Sequence, residues 1–581
     1  MKSGKAAQKS KRSPASPAAV PARKIQLWHY VLGLFIAFCA LYEIYSPALN
    51  GPFLLDDSYL PYMLPNFSTL PIGDWIRGLR PLLMFSFWLN FKASGNEVTF
   101  GYHFVNLVIH FFSGALIYLA VRKVLSFVQA ERVQQEILSI FAAGLFLFHP
   151  LQTESVSYVA SRSETLSVFF VLAAYVVFIY RKSVAVSVGT SLMILILFGA
   201  ALLTKEHAAA LPGLLLLTDY YWNPGFTFEG IRRNWKLYVP IIIGAAIGVV
   251  FIYRIVTQSV SAGFHLREFT WYQYFFTQCR VIWDYLRMYL LPFGQNIDHD
   301  VAPSRTLLEH GSIVGLIGLL AVSAAAWIYR RRFPLASFGW FVTILLLAPT
   351  SSFVPIKDPL VERRLYLPFI GLLFMTVELL RRWKTGRTTL IAALAIVLLA
   401  EGTIAYQRNE LWGSTIAMWQ DSAEKSPGKV RPRFQLAFAL YQAQRCPEAA
   451  AEFDKAARIE KPKHDLLLDW GLALDCAGNP GEAVAKLEQA VAMTPRSAHL
   501  YSQIGMEYGK QGKYPEAFRA LETAERLNPD FEMTYVYRGN IYEVQGDKAR
   551  AAEEYRRALA INDLQYNQAA RDGLARIGQP Q

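Results

Sequence analysis

The stretch AHLYSQIGMEYGKQGKYPEAFRALETAERLNP, residues 498–529, decides how the C-terminal part of the chain folds. A shift of 34 residues lays its small position Gly505 on Ala437, Gly471 and Gly539, and its Tyr508 on Leu440, Leu474 and Tyr542. The same shift aligns Ala449, Ala483, Ala517 and Ala551, then Phe453, Leu487, Leu521 and Tyr555, then Ala456, Ala490, Ala524 and Ala558. Pro495 and Pro529 close two units in register. Small residues let two paired helices approach, and the aromatic and leucine positions fill the space between them. Four units in one register are too many for chance.

This period and its small/large/small code are those of the tetratricopeptide (TPR) repeat, so 431–581 reads as an α-solenoid of about four repeats. One register earlier, Trp419 takes the Phe position and Pro427 the closing Pro, which makes 407–430 a connecting half-repeat. Nearly all the repeat residues are core; the array as a whole presents a concave surface for a peptide or protein. Cys446 and Cys476 fall near the helix-A ends of neighbouring units. In an oxidising compartment they form a disulfide; the alternative is two small buried hydrophobes.

Working back from the repeats, the character of the chain changes. Of 581 residues 53% are hydrophobic and only 18% charged, against about 25% charged in soluble domains. Apolar runs recur from Trp28 to about Tyr406. The net charge of +13 does not point to nucleic acid, because no aromatic-basic reading surface accompanies it. Seven cations (Lys2, Lys5, Lys9, Lys11, Arg12, Arg23, Lys24) lie in a Ser/Pro/Ala-rich tail over 1–26 that reads as disordered. The other basic clusters flank apolar segments, as the positive-inside rule expects.

Membrane-crossing helices are expected to begin near Trp28, His103, Ile137, Arg162, Val184, His207, Leu237, Gly311, Leu335, Leu365 and Thr388. The segment 271–291 is apolar and aromatic but carries Arg280, Asp284 and Arg287 on one helical side. Charges at a helix centre oppose insertion by about 2.5–3.5 kcal/mol each, so it is assigned to the outer interface. The fold class is therefore all-α: a polytopic membrane domain of about eleven spans over 27–406, then the solenoid. With the N-terminal tail cytoplasmic, the clusters at Arg122-Lys123, Arg181-Lys182, Arg232-Arg233, 330–332 and 381–387 all fall inside. An odd number of spans puts the solenoid outside.

That topology gathers a distinct polar set on the outer face: Asp56-Asp57, His149, Gln152, Glu154, Arg162-Ser163-Glu164, Lys205-Glu206-His207, Asp298-His299-Asp300, Lys357-Asp358 and Glu362-Arg363-Arg364. Charges at bilayer depth need compensation, and their convergence implies a site. Adjacent carboxylates suit a general base or a metal, and Lys and Arg suit a phosphate. Taken singly, each is better explained as a topology anchor or ion pair; the set together favours a site.

The acidic pair in the first outer loop of a multispan protein resembles the GT-C glycosyltransferases. The runs His103-Phe104-Val105-Asn106-Leu107-Val108-Ile109-His110, His149-Pro150-Leu151-Gln152-Thr153-Glu154-Ser155-Val156, Ala160-Ser161-Arg162-Ser163-Glu164, Leu203-Thr204-Lys205-Glu206 and Val361-Glu362-Arg363-Arg364-Leu365-Tyr366-Leu367-Pro368 resemble the transmembrane and tetratricopeptide repeat-containing O-mannosyltransferases, in the same order. The chain carries fewer repeats than the animal members tend to. It is read as a bacterial inner-membrane relative with a periplasmic array, the alternative being an ER membrane with a lumenal one.

The resemblance implies transfer of a mannose-like monosaccharide from a polyprenyl-phosphate carrier in the bilayer to a protein Ser/Thr hydroxyl, with inversion. Asp56 or Asp57 would be the base; Lys205, Arg363 and Arg364 would hold the donor phosphate. His149, Glu154, Arg162, Glu206 and Glu362 would support them. A divalent cation at Asp56/Asp57 stays open. The repeats would handle the acceptor. Rival readings are a non-catalytic membrane scaffold and a lipid-linked oligosaccharide ligase or polymerase.

Overall fold

The computed structural model describes residues 27–60, 63, 70–258, 262–265, 268, 270–561 and 567–579; the basic tail expected over 1–26 lies outside them. The chain divides into two units, Met1–Ala40 and Leu41–Gln581. The first contains most of an apolar helix, Leu27–Tyr45, whose Trp28, Val31 and Phe35 are exposed. Among the described residues there are helices and no strands.

A helix stands at each expected start. Beyond Leu27–Tyr45 these are Phe100–Phe127, Arg132–Phe148, Arg162–Ile179, Val188–Leu202, Leu211–Trp222, Trp235–Gln258, Ser312–Ile328, Pro334–Leu347, Phe369–Arg382 and Arg387–Trp412. Apolar sequence alone does not make each a full crossing. Among the described residues 5 helices are long and apolar enough, and 6 if Arg132–Phe148 and Pro150–Ser157, bent by 50° at their break, count as one. Val188–Leu202 and Pro334–Leu347 are apolar but shorter. At 1.5 Å per residue a 14-residue helix such as Phe369–Arg382 spans only about 21 Å, less than the roughly 30 Å of hydrocarbon.

The shortened helices have something in common. Glu362–Leu365 is a 3-10 turn just ahead of Phe369–Arg382, Glu206–Ala210 is one just ahead of Leu211–Trp222, and Pro150–Gln152 follows Arg132–Phe148. Irregular backbone at membrane depth is tolerated where protein buries it or where it lines a cavity. These breaks carry Gln152, Glu206, His207, Glu362, Arg363 and Arg364 of the expected polar set, with His149 and Lys205 immediately ahead of them.

Glycine sets one of the tightest helix pairs. A Cβ on Gly339 would run into the carbonyl oxygen of Gly371, and one on Gly371 into that of Gly339 and the hydroxyl of Thr343. Small residues therefore let Pro334–Leu347 and Phe369–Arg382 touch backbone to backbone, as membrane helices commonly do. The segment Trp271–Leu290 is helical and amphipathic. It packs Tyr274, Cys279, Val281 and Tyr285 inward and leaves Asp284 and Arg287 part-exposed. It is not among the helices apolar enough to cross.

The solenoid is built from the helix pairs Val430–Gln442/Cys446–Ile459, His464–Cys476/Pro480–Met493, Ala498–Lys510/Tyr514–Leu527 and Glu532–Val544/Lys548–Ala560. The period has its expected cause: a Cβ on Gly505 would stand 2.6 Å from Leu521 Cγ, and one on Gly539 would stand 2.6 Å from Tyr555 Cε1. Ahead of the first pair, Thr415–Lys425 packs Trp419 and Ala423 against Leu436 and Leu440, as a half-repeat does. A further helix, Asn567–Arg576, adds Ala570 and Leu574 to the core around Tyr555. Cys446, opening one helix, and Cys476, closing the next, are joined as a disulfide with Cα atoms 5.6 Å apart.

Candidate functional site

The acidic pair sits on a 3-10 turn, Leu55–Tyr59. Leu55 enters it at φ 51°, a left-handed conformation that costs a non-glycine residue about 1–2 kcal/mol. Packing holds it there: Leu55 contacts the core around Tyr158 and Trp412 on one side and the core of the first repeat on the other. The two aspartates then part. Asp57 is buried, and its Oδ2 accepts from Leu54 N at 3.0 Å and its Oδ1 from Ala160 N at 2.7 Å. Burial pushes its carboxyl up to about 7, against the pull of those N–H groups. Asp56 is exposed. Its backbone N–H donates to the Tyr158 hydroxyl at 2.9 Å, and its carboxylate pairs with no cation among the described residues.

Tyr158 links that turn to the cations. The Arg363 guanidinium lies over its ring, 5.5 Å from the centroid. Arg363 pairs with Glu154, which is buried, and its backbone N–H donates to Glu154 Oε2 at 2.9 Å. Lys205 pairs with Glu164, and His207 Nε2 lies 3.5 Å from the other oxygen of the same carboxylate. Arg80 grips Glu206 through two bonds of 2.9 and 2.8 Å. Lys205 feels the charges of both Arg80 and Arg363, and Arg80 that of Arg363. Three cations, each oriented by its own carboxylate, thus face one region. They stay accessible: the Arg363, Arg80 and Lys205 side chains are 27%, 38% and 17% exposed.

Other residues of the expected set have different work. His149 is fully buried, with Nε2 on the Tyr289 carbonyl at 3.0 Å and Nδ1 accepting from Leu151 N at 3.2 Å. Both ring nitrogens serve backbone, so the ring fixes the bend and presents no free nitrogen. Arg162 is buried over Phe87 and bonds to Asn106 Oδ1, the Ser86 carbonyl and the Tyr102 carbonyl, clamping helices together. Arg364 donates to the carbonyls of Pro359 and Asp358 at 2.9 and 2.7 Å and so shapes its own loop.

Glu362 faces another loop. It accepts from Asn296 N at 2.5 Å and lies 3.0 Å from His299 Nε2. Asn296 Nδ2 donates to Ser426 Oγ at 2.8 Å, and Ser426 Oγ to the Asp298 carbonyl at 2.6 Å. Asp298 is buried against Lys429 and Arg431, and Arg431 also pairs with Asp358 at 2.8 Å. The root of the solenoid is thereby docked on the loops that flank Arg363. A cavity of about 580 Å³ lies beside this dock, between Lys357 and Asp358 on one side and Arg431, Phe434, Lys461 and Lys463 on the other. Neither Asp56 nor Arg363 lines it.

Two members of the cluster escape sequence reading. Arg80 is a single cation in a polar loop, and its signal would have been the Arg-Pro entry to the helix Pro81–Ser94. Tyr158 lies between two of the quoted motifs without a charge to mark it. A metal at Asp56/Asp57 finds little to hold it. Both Asp57 oxygens are taken by backbone N–H groups, and no group of three or more His, Cys, Asp or Glu ligands occurs among the described residues.

A tetratricopeptide-repeat family model matches residues 502–565. Protein O-mannosyl-transferase Tmtc3 of Drosophila melanogaster is 25% identical over 565 residues, covering 80% of this chain and 59% of that protein. Protein O-mannosyl-transferase TMTC3 of Mus musculus is 22% identical over 554 residues, covering 85% and 58%. Over most of its length the chain is similar to these two proteins. It spans about three fifths of the length of these curated relatives. Among solved structures, MamA is similar at 20% identity and a TM-score of 0.24, covering 26% of this chain and 90% of that one.

Proposed function

We propose that the chain is a membrane glycosyltransferase that moves a mannose from a polyprenyl-phosphate carrier to a Ser/Thr hydroxyl of a protein. The observation that carries this is that Asp56, whose carboxylate pairs with no cation among the described residues, and Arg363 both lie against Tyr158, with Lys205 and Arg80 close enough to Arg363 to feel its charge. The names of the relatives support the sugar and the acceptor class. In this reading the site and the solenoid lie outside a bacterial inner membrane, or in the lumen of the ER, an orientation that the placement of the basic clusters supports.

In this reading Asp56 takes the proton of the acceptor hydroxyl as its oxygen attacks the anomeric carbon. The bond from that carbon to the phosphate oxygen breaks, and its electron pair leaves on the phosphate. One displacement inverts the configuration. Charge grows on the leaving phosphate, and preoriented cations stabilise it more than they stabilise the ground state. Arg363, Lys205 and Arg80 keep N–H donors for it beyond those used by their carboxylates. Asp57 is a positioning residue: it holds the turn that aims Asp56. The docked solenoid and the cavity beside it would receive the acceptor chain.

The test is transfer by the purified full chain from polyprenyl-phosphate mannose to a Ser/Thr-containing protein. Asp56→Asn should lower the rate by about 10²–10⁴-fold, the usual worth of a general base, while leaving insertion and folding intact. A wild-type rate in that variant removes the base assignment; no transfer by the wild-type chain to any hydroxyl acceptor removes the function.

A further inference from the structure

We propose that a pocket between the ends of three helices, opposite the candidate site and lined by four arginines, binds a phosphate-bearing anion such as the headgroup of an acidic lipid. This goes beyond the transfer reading and does not rest on it. Phe369–Arg382 and Leu211–Trp222 each begin beside a site turn, at Glu362–Leu365 and Glu206–Ala210, and end at the pocket. Pro334–Leu347 runs the other way and begins there. A cavity of about 470 Å³ opens between these ends, lined by Arg331, Arg332, Arg381 and Arg382 together with Trp222 and Phe226. Among the described residues no acidic one lines it.

The charges are not matched locally. Glu378 is fully buried and accepts from both Arg381, at 2.9 and 3.0 Å, and Arg382, at 2.5 Å. One carboxylate thus serves two guanidinium groups. Arg331 and Arg332 have no carboxylate within ion-pair distance among the described residues; Arg331 lies 5.5 Å from the Phe226 ring centroid instead. Arg181, nearby in sequence to another such end, shows the contrast, since it is matched by Asp219 at 2.6 Å. The positive-inside rule accounts for basic residues at this end of the helices. It does not account for four of them around a concave aromatic pocket. Guanidinium forks bind phosphate oxygens in pairs, and Trp and Phe at this depth suit the glycerol and first methylenes of a lipid.

Native mass spectrometry of the purified full chain tests this, with phosphatidylglycerol, phosphatidylcholine and inorganic phosphate as probes. The wild type should retain phosphatidylglycerol about ten-fold better than the zwitterionic lipid, a margin that two charge-assisted contacts supply. Arg331→Gln with Arg332→Gln should abolish the preference, and Arg331→Lys with Arg332→Lys should keep part of it. These two arginines are chosen because Arg381 and Arg382 hold the buried Glu378. Displacement by millimolar inorganic phosphate would mark the pocket as reading the phosphate group itself. Retention without such displacement would mark a lipid headgroup as the source. Equal retention of both lipids by the wild type, or an undiminished preference in the Gln variant, overturns the proposal.

Discussion

Asp57 carries its charge in an awkward place, with both oxygens on backbone N–H groups yet out of water. Because burial lifts its folded-state value to about 7, above the roughly 3.9 of an exposed aspartate, the sign of its effect is fixed. Its stabilising contribution is complete below pH about 4 and is lost as pH rises through about 7. Thermal unfolding of the detergent-solubilised chain between these limits should therefore slope downward with pH, and Asp57→Asn should flatten that slope. The same substitution turns an amide N–H toward Ala160 N or Leu54 N and should destabilise by about 1–3 kcal/mol. Asp56→Asn, at an exposed side chain, should change stability by less than about 0.5 kcal/mol while removing transfer. If both variants lose stability alike, the division of labour within the pair is wrong.

Between elements, the docking of the solenoid depends on Asp298, a buried carboxylate shared by Lys429 and Arg431. Removing one member of a buried charge set leaves the others uncompensated and costs about 3–5 kcal/mol. Asp298→Asn should speed hydrogen exchange in the helix Val430–Gln442 while leaving Lys548–Ala560 unchanged. The disulfide has a separate readout. Alkylation of the unfolded chain should add labels at Cys446 and Cys476 only after reduction, and Cys446→Ser should lower the stability of the first two repeats by about 2–4 kcal/mol. Such elements differ in how plainly the sequence announces them. The repeats are legible because every unit buries the same positions, so Gly505 and Leu521 recur 34 residues away as Gly539 and Tyr555. Helix positions are legible from apolar runs. Where Arg132–Phe148 stops short and bends is not, because length and hydropathy do not record that protein, rather than lipid, surrounds the break. Nor are the charge pairs: Arg363 finds Glu154 and Arg80 finds Glu206 across more than a hundred residues. His149 carries a polar ring to the right depth, but only the position of the Tyr289 carbonyl decides that the ring is structural.

At the scale of the whole molecule, the solenoid and the site are tied by the packing of Leu55 on the first repeat and by a short polar path: Glu362 to Asn296, Asn296 to Ser426, and Asp298 to Arg431. A solenoid is quasi-one-dimensional, each repeat resting on its neighbours, so its far end can be removed without undoing the path. Deleting residues 494–581 takes away the third and fourth helix pairs and the helix Asn567–Arg576, yet keeps the dock and the disulfide. If the array handles the acceptor, this shortened chain should glycosylate a short Ser/Thr peptide at the wild-type rate. For a folded protein acceptor its KM should rise about ten-fold, equivalent to 1.4 kcal/mol of lost binding. Deleting 431–581 is a poorer probe, because it strips Asp298 and Asp358 of Arg431 and would disturb the loops beside Arg363. An equal loss on peptide and protein would mean that the far repeats support the fold of the site. No loss on either would mean that the acceptor never touches them, and the solenoid's part would shrink to the dock alone.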